Sequence, residues 1–305
     1  MRLAAAILLV CLAGRPAVAG APAPGEPVAT GPVSLDARHI ASLACIDPNT
    51  GLRFPPLGLT LDLAGDLYVV DGDNSRILAF GDAEGPPVFF AECPETLDYC
   101  RFTDIVADAG WFYVSDPAHG LVLVLDSQGR PVGTREVGVT VGGMGLGEAG
   151  QVYAAMTVAA AIVIVDVYAG QSTITCPMPG GPEGSCPVDC LVERADRVLV
   201  TDAFSGEVVA LGIFGNHLET IKGFDFESPF GICSVRGRVT LVSDSRLGVV
   251  AGFDARGKFL GTFGDGILSA PGFIEARDDG TVWVADPGRM TIEVFRLEQP
   301  LDTRN

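Results

Sequence analysis

The stretch that decides the fold runs from residue 56 to residue 80 and reads PLGLTLDLAGDLYVVDGDNSRILAF. A first apolar segment ends at Asp62, and a turn at residues 64–66 leads into a second segment that ends at Asp71. A third segment begins at Ile77 after a polar turn. Short runs of Leu, Val and Tyr between turn residues are typical of successive antiparallel strands. One sheet of this size exposes two faces and two edges, so the pattern predicts that further copies stack against it.

The same pattern returns five more times along the chain. The six second segments read DLYVVD, WFYVSD, QVYAAM, RVLVTD, RVTLVSD and TVWVAD. Their last residues are Asp71, Asp116, Met156, Asp202, Asp244 and Asp286, at spacings of 45, 40, 46, 42 and 42 residues. A period near 43 residues, with several short strands in each unit, is typical of stacked or circular repeat arrays.

The two ends of the repeat predict a closed ring. The sixth unit has no fourth strand, because the chain reaches Pro300 soon after the third one. The segment HIASLAC, residues 39–45, has strand character and precedes the first unit. We expect it to supply the missing outer strand of the last sheet. The sequence therefore predicts an all-β, six-bladed β-propeller of four-stranded blades over residues 37–298, with first strands around the axis and a short tail at 299–305.

Residues 1–19 have the pattern of a secretory signal peptide. Arg2 precedes an apolar run over residues 3–13, and the small residues at 17–19 provide a cleavage site. This run is about half of the roughly 20 residues that a spanning helix needs. Residues 20–36 are rich in Pro and Ala, which favours a solvated spacer. We therefore expect a secreted or periplasmic protein without a membrane span.

The charge of the chain narrows the choice of partner. Cleavage after residue 19 leaves 18 basic residues against 38 acidic ones, a net charge of −20. Such a surface repels phosphate backbones and anionic lipids, which argues against nucleic-acid binding. Cations, basic proteins and neutral ligands are favoured instead. We expect the partner to be a protein or a small extracellular ligand.

Seven cysteines follow the predicted signal peptide. Disulfides are typical of oxidising compartments, and an odd number leaves at least one thiol unpaired. We predict that Cys93 pairs with Cys100 within one loop, and that a second disulfide forms among residues 176, 186 and 190. Cys233 lies in the apolar segment FGICSV, which predicts a buried free thiol.

The first unit resembles an NHL repeat, in which a Pro-x-Gly strand precedes a Val-x-Asp strand and an Asn-x-Arg-Ile hairpin. The matching residues are Pro56, Gly58, Asp62, Gly65, Tyr68, Val69, Asp71, Asn74, Arg76 and Ile77. Units five and six resemble the same repeat through PFGI…LVSD and PGFI…WVAD, and unit three departs from it most. The resemblance implies a six-bladed propeller, which agrees with the number of units counted above.

Departures from the repeat near the axis are the candidate site residues. Where other first strands place Gly58, Gly143, Gly231 and Gly272, units two and four place Asp104 and Asp189, and unit six adds Glu275. Carboxylates from different blades can coordinate Ca²⁺ through oxygen, or raise one another's pKa and serve as acid and base. Alternatively, water in the channel solvates each of them separately.

Two further candidates lie in turns. His119 and Arg289 fall in turns on one face of the ring, where they can contact a ligand or only water. The five aspartates at second-strand ends gather on the same face. They form either a cation-binding rim or, as we favour, hydrogen-bonded turns that recur with the repeat.

Enzymes among similar propellers provide templates that this chain does not complete. The amidating lyase of this fold holds zinc with histidines from several blades, whereas His39, His119 and His217 fall outside the predicted first strands. Lactonase-type propellers hold calcium with Glu, Asn and Asp, and no Asn falls in a first strand here. We therefore expect an NHL-type propeller that acts as a ligand- or protein-binding scaffold. The alternative is a calcium-dependent hydrolase or lyase with Asp104, Asp189 and Glu275 at the axis.

Overall fold

The computed structural model describes residues 35–81, 86–138, 140–147, 150–166, 173–178, 180–181, 183–194, 197–212 and 214–298. Within these ranges, 24 strands form six sheets of four strands each. The predicted all-β six-bladed propeller is therefore confirmed. The predicted signal peptide, the spacer up to residue 34 and the tail from residue 299 lie outside the described residues. In the described part of the chain, no helix has the length and apolar character needed to cross a membrane.

The first three blades follow the predicted order along the chain. Blade 1 contains β2 (Pro56–Leu61), β3 (Leu67–Asp71), β4 (Arg76–Phe80) and β5 (Val88–Glu92). Blade 2 contains β6 (Ile105–Asp108), β7 (Trp111–Asp116), β8 (Leu121–Leu125) and β9 (Pro131–Glu136). Blade 3 contains β10 (Val141–Leu146), β11 (Gln151–Met156), β12 (Ala161–Asp166) and β13 (Thr173–Pro177). Even the irregular third unit therefore forms a complete blade.

The last three blades complete the ring. Blade 4 contains β14 (Pro187–Arg194), β15 (Arg197–Asp202), β16 (Glu207–Gly212) and β17 (His217–Ile221). Blade 5 contains β18 (Pro229–Val235), β19 (Val239–Asp244), β20 (Val249–Asp254) and β21 (Phe259–Phe263). Blade 6 contains β22 (Ile274–Ala276), β23 (Thr281–Asp286), β24 (Thr291–Leu297) and, from the amino-terminal side, β1 (Ala37–Ala44). The first strands of neighbouring blades contact one another and surround the axis.

The core lies between the blades. Six hydrophobic clusters of described residues each fill the space between two adjacent sheets. In β3, Leu67 and Val69 pack towards blade 6, whereas Tyr68 and Val70 pack towards blade 2. Successive side chains of a strand point to opposite faces. Both faces of the second strands are therefore buried, which explains why these strands read as continuous apolar runs.

The ring is closed as predicted. β1 pairs antiparallel with β24 from Ala37↔Leu297 to Ala44↔Thr291, in the strand order β1-β24-β23-β22. The strand begins two residues before the predicted segment and ends one residue before its end. Leu35, just before β1, is buried in the cluster between blades 5 and 6. The amino-terminal segment is therefore part of the folded ring.

A buried glutamate of β24 fastens the closing strand. Glu293 Oε2 accepts a hydrogen bond from Ser42 Oγ and lies 2.7 Å from His39 Nε2, while Oε1 accepts one from Thr291 Oγ1 at 2.7 Å. Burial alone would raise the pKa of Glu293, but these hydrogen bonds outweigh it and lower the pKa. Ser42 and Glu293 both face the same histidine nitrogen. The arrangement therefore joins two strands and does not relay a proton from the serine to the glutamate through the two ring nitrogens.

The cysteines follow the predicted pattern in part. Cys93 and Cys100 form a disulfide, and Cys233 is a buried free thiol, both as predicted. Cys186 also takes part in a disulfide, whereas Cys190 is a buried free thiol. The side chain of Cys176, the third candidate for that pair, lies outside the described set.

The aspartates at second-strand ends fix turns, as we favoured. Asp244 is fully buried, and its Oδ1 accepts hydrogen bonds from Arg246 N at 3.0 Å and Leu247 N at 2.9 Å. Its Oδ2 accepts two more from Glu227 N at 2.7 Å and Ser228 N at 3.1 Å, in the loop that enters the blade. In the same way, the backbone N–H groups of Arg101, Cys186 and Ser269 donate to Asp116, Asp202 and Asp286, respectively. The aspartate that ends the second strand therefore holds two loops together in blades 2, 4, 5 and 6.

We expect Asp244→Ala to lower the free energy of unfolding by about 3 kcal/mol or more, because it leaves four backbone N–H groups, one of them from the buried Ser228, without their acceptor. Asp73→Ala, at an exposed turn position, is the matched control and should change stability by less than about 0.5 kcal/mol. Urea unfolding followed by circular dichroism measures both. Equal effects of the two substitutions would contradict this role.

Candidate functional site

The strand register places one residue of each first strand at the same level around the axis. Ser115 N donates to Asp104 O, and Ala285 N donates to Phe273 O in the same way. The six equivalent residues are Gly58, Asp104, Gly143, Asp189, Gly231 and Phe273. The alignment on Gly272 was therefore wrong by one residue, because it followed the Pro-x-Gly pattern and not the register. Glycine alternates with a larger residue around this level.

Asp104, Asp189 and Phe273 fill the centre of the ring, and we call them the axial plug. A Cβ atom at Gly58 would overlap Asp104 Oδ1, and one at Gly143 would overlap Asp189 Oδ1. A Cβ atom at Gly143 would also lie 2.6 Å from Phe273 Cε1. Because Gly143 belongs to blade 3 and Phe273 to blade 6, the phenyl ring crosses the axis. The glycines leave the space that the plug residues occupy.

The two plug carboxylates join neighbouring blades. Asp104 Oδ2 accepts a hydrogen bond from Met144 N of blade 3 at 2.7 Å. Asp189 Oδ2 accepts one from Ile232 N of blade 5 at 3.0 Å, and its Oδ1 accepts one from Cys190 N at 2.8 Å. Both side chains are buried, with relative exposures of 3% and 4%. They hold the first strands of successive blades in register.

Burial dominates the ionisation of the plug. It raises the pKa of Asp189 to about 8, although two backbone N–H groups favour the charged form. Burial also raises the pKa of Asp104 well above its ordinary value, and the charge of Asp189 raises it further. A carboxyl group in a low-dielectric interior loses the hydration that stabilises its charge. Burial therefore favours the neutral form of both plug carboxyls.

A funnel of about 610 Å³ lies beside the plug, on the side where the first strands end. All six blades contribute to its wall, and it opens between turns such as residues 62–65 and 277–278. At its deeper level, the equivalent residues of the six first strands are Thr60, Val106, Gly145, Leu191, Cys233 and Glu275. Glu275 is the only acidic residue among these six, and the other five are neutral.

Glu275 is the acidic side chain at the deeper level of the funnel. Its side chain is partly exposed, because it borders the funnel, but the funnel lies deep within the ring. Burial raises the pKa of Glu275 to about 7. Within the described part of the chain, its carboxylate accepts one hydrogen bond, from Ala276 N to Oε1 at 2.9 Å. The Oε2 atom therefore retains its capacity to accept a hydrogen bond.

The mouth of the funnel carries charges of both signs. Arg277 Nη2 donates to Gly65 O at 2.6 Å, and its Cζ lies 5.0 Å from the centroid of Trp283. Asp62 Oδ1 accepts hydrogen bonds from the backbone N–H groups of residues 64 and 66. Asp278 is exposed at the same mouth. The guanidinium is thus engaged with blade 1 and its own blade, while the deeper wall stays without a cation.

The other two predicted site residues lie on the opposite face. His119 Nδ1 is 2.7 Å from Asp116 Oδ2, and its ring packs against Tyr99 with centroids 5.0 Å apart. Arg289 Nε is 3.9 Å from Asp286 Oδ2, and 47% of its side chain is exposed. This face also exposes large apolar side chains, namely Leu52, Tyr99, Val158 and Phe204. Ligand contact by His119 and Arg289 stays a prediction.

The structure therefore divides the five predicted site residues into three places. Asp104 and Asp189 are in the plug, Glu275 is in the funnel, and His119 and Arg289 are in turns on the far face. Among the described residues, no three His, Cys, Asp or Glu side chains form a group that could hold a metal ion. The calcium site at Asp104, Asp189 and Glu275 stays a prediction.

Sequence reasoning missed Phe273, although a signal for it exists. Counting back 13 residues from the last residue of the second strand gives Gly58, Gly143, Asp189, Gly231 and Phe273 in five units, and 12 residues give Asp104 in the other. The same count two residues later identifies Glu275 and its equivalents. An alignment on the second strand therefore finds both levels, whereas the Pro-x-Gly pattern does not.

Comparison with known proteins finds similarity in fold. No family model matches the sequence, and no curated protein matches it. Among solved structures, virginiamycin B lyase from Staphylococcus aureus superposes with a TM-score of 0.66 at 12% identity, covering 86% of this chain and all of that one. A streptogramin B lyase gives a TM-score of 0.65 at 13% identity, covering 85% of this chain and 87% of that one.

A third similar structure, a protein of unknown function from Bacteroides thetaiotaomicron, gives a TM-score of 0.66 at 13% identity, covering 87% of this chain and 75% of that one. At such low identities, these similarities establish the six-bladed propeller fold and nothing finer.

Proposed function

We propose that this chain is a secreted or periplasmic NHL-type propeller that binds a small organic ligand in the axial funnel. The observation that carries the proposal is the funnel itself. Its volume of about 610 Å³ lies within the range of roughly 300–1,000 Å³ typical of small-molecule sites. Its wall combines apolar side chains with a few polar groups, among them Thr60, Ser234 and Glu275. This composition is the usual one for a ligand pocket.

The rigid ring supports such a role. The first strands that form the wall are fixed by the interblade clusters and by the plug carboxylates. A wall that is already ordered loses little conformational entropy when a ligand binds. The family resemblance of units one, five and six, and the signal-peptide pattern, support the finer assignment and the extracytoplasmic location.

Ligand-observed NMR with a panel of fragment-sized aromatic and aliphatic molecules tests the proposal. We expect several fragments to bind the wild-type protein and to lose at least about tenfold in affinity in Ser234→Phe, because the new ring would occupy the funnel. Ser234 is a partly exposed wall residue outside the hydrophobic clusters.

Val132→Phe, on an outer strand where Val132 is 53% exposed, is the matched control and should leave binding unchanged. If no fragment binds, or if fragments bind equally to Ser234→Phe, the funnel is not the ligand site.

A second candidate function rests on Glu275. General acid–base catalysis needs a group whose pKa is near the working pH, and burial gives Glu275 a pKa of about 7. This supports a hydrolase or lyase in which Glu275 transfers a proton. A catalytically inactive histidine-to-alanine variant of virginiamycin B lyase has been solved with quinupristin, whereas none of the described funnel-wall residues here is a histidine. Each bound fragment can be incubated with the protein, with and without calcium chloride, and then recovered and analysed. An unchanged fragment indicates binding, and an altered one indicates catalysis.

A further inference from the structure

We propose that the funnel selects organic monocations, in which an ammonium group pairs with Glu275 and an apolar body of about the size of one or two rings contacts the surrounding wall. This inference rests on the proposed function, since it specifies the chemistry of the ligand that the funnel binds.

The register supplies the first argument. Glu275 occupies a level at which the other five blades place Thr60, Val106, Gly145, Leu191 and Cys233. A single carboxylate among five neutral residues destabilises the fold if nothing pairs with it, because a buried charge is unfavourable unless it is paired. In the described part of the chain, the partner of this carboxylate is one backbone N–H group. A ligand with a donor group completes its hydrogen bonding.

The charges around Glu275 favour a cationic donor over a neutral one. Arg277, the cation among the wall residues, is engaged with Gly65 O and the Trp283 ring at the mouth. Asp62 and Asp278 lie at the same mouth. The plug carboxyls of Asp104 and Asp189 lie next to the deep end of the funnel. They carry no positive charge, so they do not neutralise Glu275. The deepest part of the site therefore attracts positive charge and repels anions.

The wall above Glu275 determines the rest of the ligand. The next level along the first strands consists of Leu61, Ala107, Leu146, Val192, Ser234 and Ala276. Five of these six side chains are apolar, and all are partly exposed. An apolar body attached to the ammonium group would bury this surface. A strongly hydrophilic cation, such as a hydrated metal ion, lacks such a body.

Three probes of nearly equal shape test the inference: 2-phenylethylamine, 2-phenylethanol and 3-phenylpropanoate. Isothermal titration calorimetry with the full chain at pH 8 measures their affinities. We expect the amine to bind at least about tenfold more tightly than the alcohol, because its ammonium group adds a charge–charge attraction to the hydrogen bond with the Glu275 carboxylate. The carboxylate should bind more weakly than either.

Glu275→Gln should remove the preference for the amine and leave the affinity for the alcohol within about twofold. The matched control is Glu207→Gln, at an exposed position of β16, which should keep the preference. The affinity for the amine should also rise between about pH 6 and pH 8 as Glu275 loses its proton, and Glu275→Gln should show no such rise.

The outcomes separate the two proposals. Equal binding of the three probes, abolished by Ser234→Phe, would overturn the selectivity for monocations and leave the funnel as a ligand site. Binding of the amine that Ser234→Phe does not weaken would overturn the funnel as the site. A preference for the amine that persists in Glu275→Gln would show that another carboxylate is responsible, and would overturn the inference.

Discussion

The wild-type protein is expected to lose several kcal/mol of its free energy of unfolding as the pH rises from about 5 to about 9, and Asp104→Asn/Asp189→Asn is expected to lose much less. Burial raises the pKa of Asp189 from 3.8 to about 8 and that of Asp104 in the same direction. Each unit of difference between the folded and unfolded states is worth about 1.4 kcal/mol. The plug carboxyls therefore make stability depend on pH in a range where most other carboxyls have already ionised.

The sign follows from proton binding. Between the ordinary pKa of an aspartate and its raised value, the folded state holds a proton that the unfolded state has released. The stability contributed by the neutral carboxyl is therefore fully present below about pH 4 and is lost as the pH rises through the folded pKa. Glu275, with a pKa raised to about 7, acts in the same direction.

Guanidinium unfolding at a series of pH values, followed by tryptophan fluorescence, measures this dependence. Asn at position 104 can still accept the hydrogen bond from Met144 N, and Asn at 189 can accept one of its two bonds. The variant should therefore remain folded at pH 5. Asp73→Asn, on the surface, is the control. Parallel stability curves for the wild type and the plug variant would contradict the assignment.

Removal of the closing strand is expected to have the other large effect. A chain that begins at Ile46 lacks β1, so β24 becomes an exposed edge and the cluster that contains Leu35 and the one that contains Leu43 are opened. We expect a loss of about 5 kcal/mol or more, which is comparable with the whole stability of many domains. The cooperative thermal transition should broaden or disappear.

A chain that begins at Leu35 is the matched control, because it keeps β1 and its buried neighbour. A synthetic peptide of residues 35–45, added to the shorter chain, should restore part of the transition by pairing with β24. Unchanged melting of the shorter chain would show that the ring does not depend on this closure. Calorimetry of the three samples measures the effect.

The architecture could be predicted because each blade has its own copy of one sequence pattern. Each second strand is buried on both faces, and four of the six end on an aspartate that fixes two loops, so composition and spacing recur along the chain. The missing fourth strand of unit six and the strand-like segment near residue 39 predicted the closure. One sheet lacked an outer strand, and one strand had no sheet. These features arise from local and periodic constraints, which one sequence contains.

The site could be predicted only in part. The departures at Asp104, Asp189 and Glu275 were visible as charged residues in first strands. Their separation into a buried plug and an open funnel depends on depth along the axis, which a shift of one residue changes. Phe273 was missed for that reason, since an alignment on the neighbouring glycine placed it off the axial level.

The sequence by itself determined the number of blades, the closing strand, the turn aspartates and the Cys93–Cys100 disulfide. Tertiary structure alone decided which axial carboxyls are buried beside Phe273 in the plug and which one faces a cavity. The physical reason is that a strand's own sequence specifies which side chains share a face, whereas the space at the axis is shared by six strands far apart in the chain. Glycine in one blade permits a carboxylate or a phenyl ring from another, and only the assembled ring brings them together.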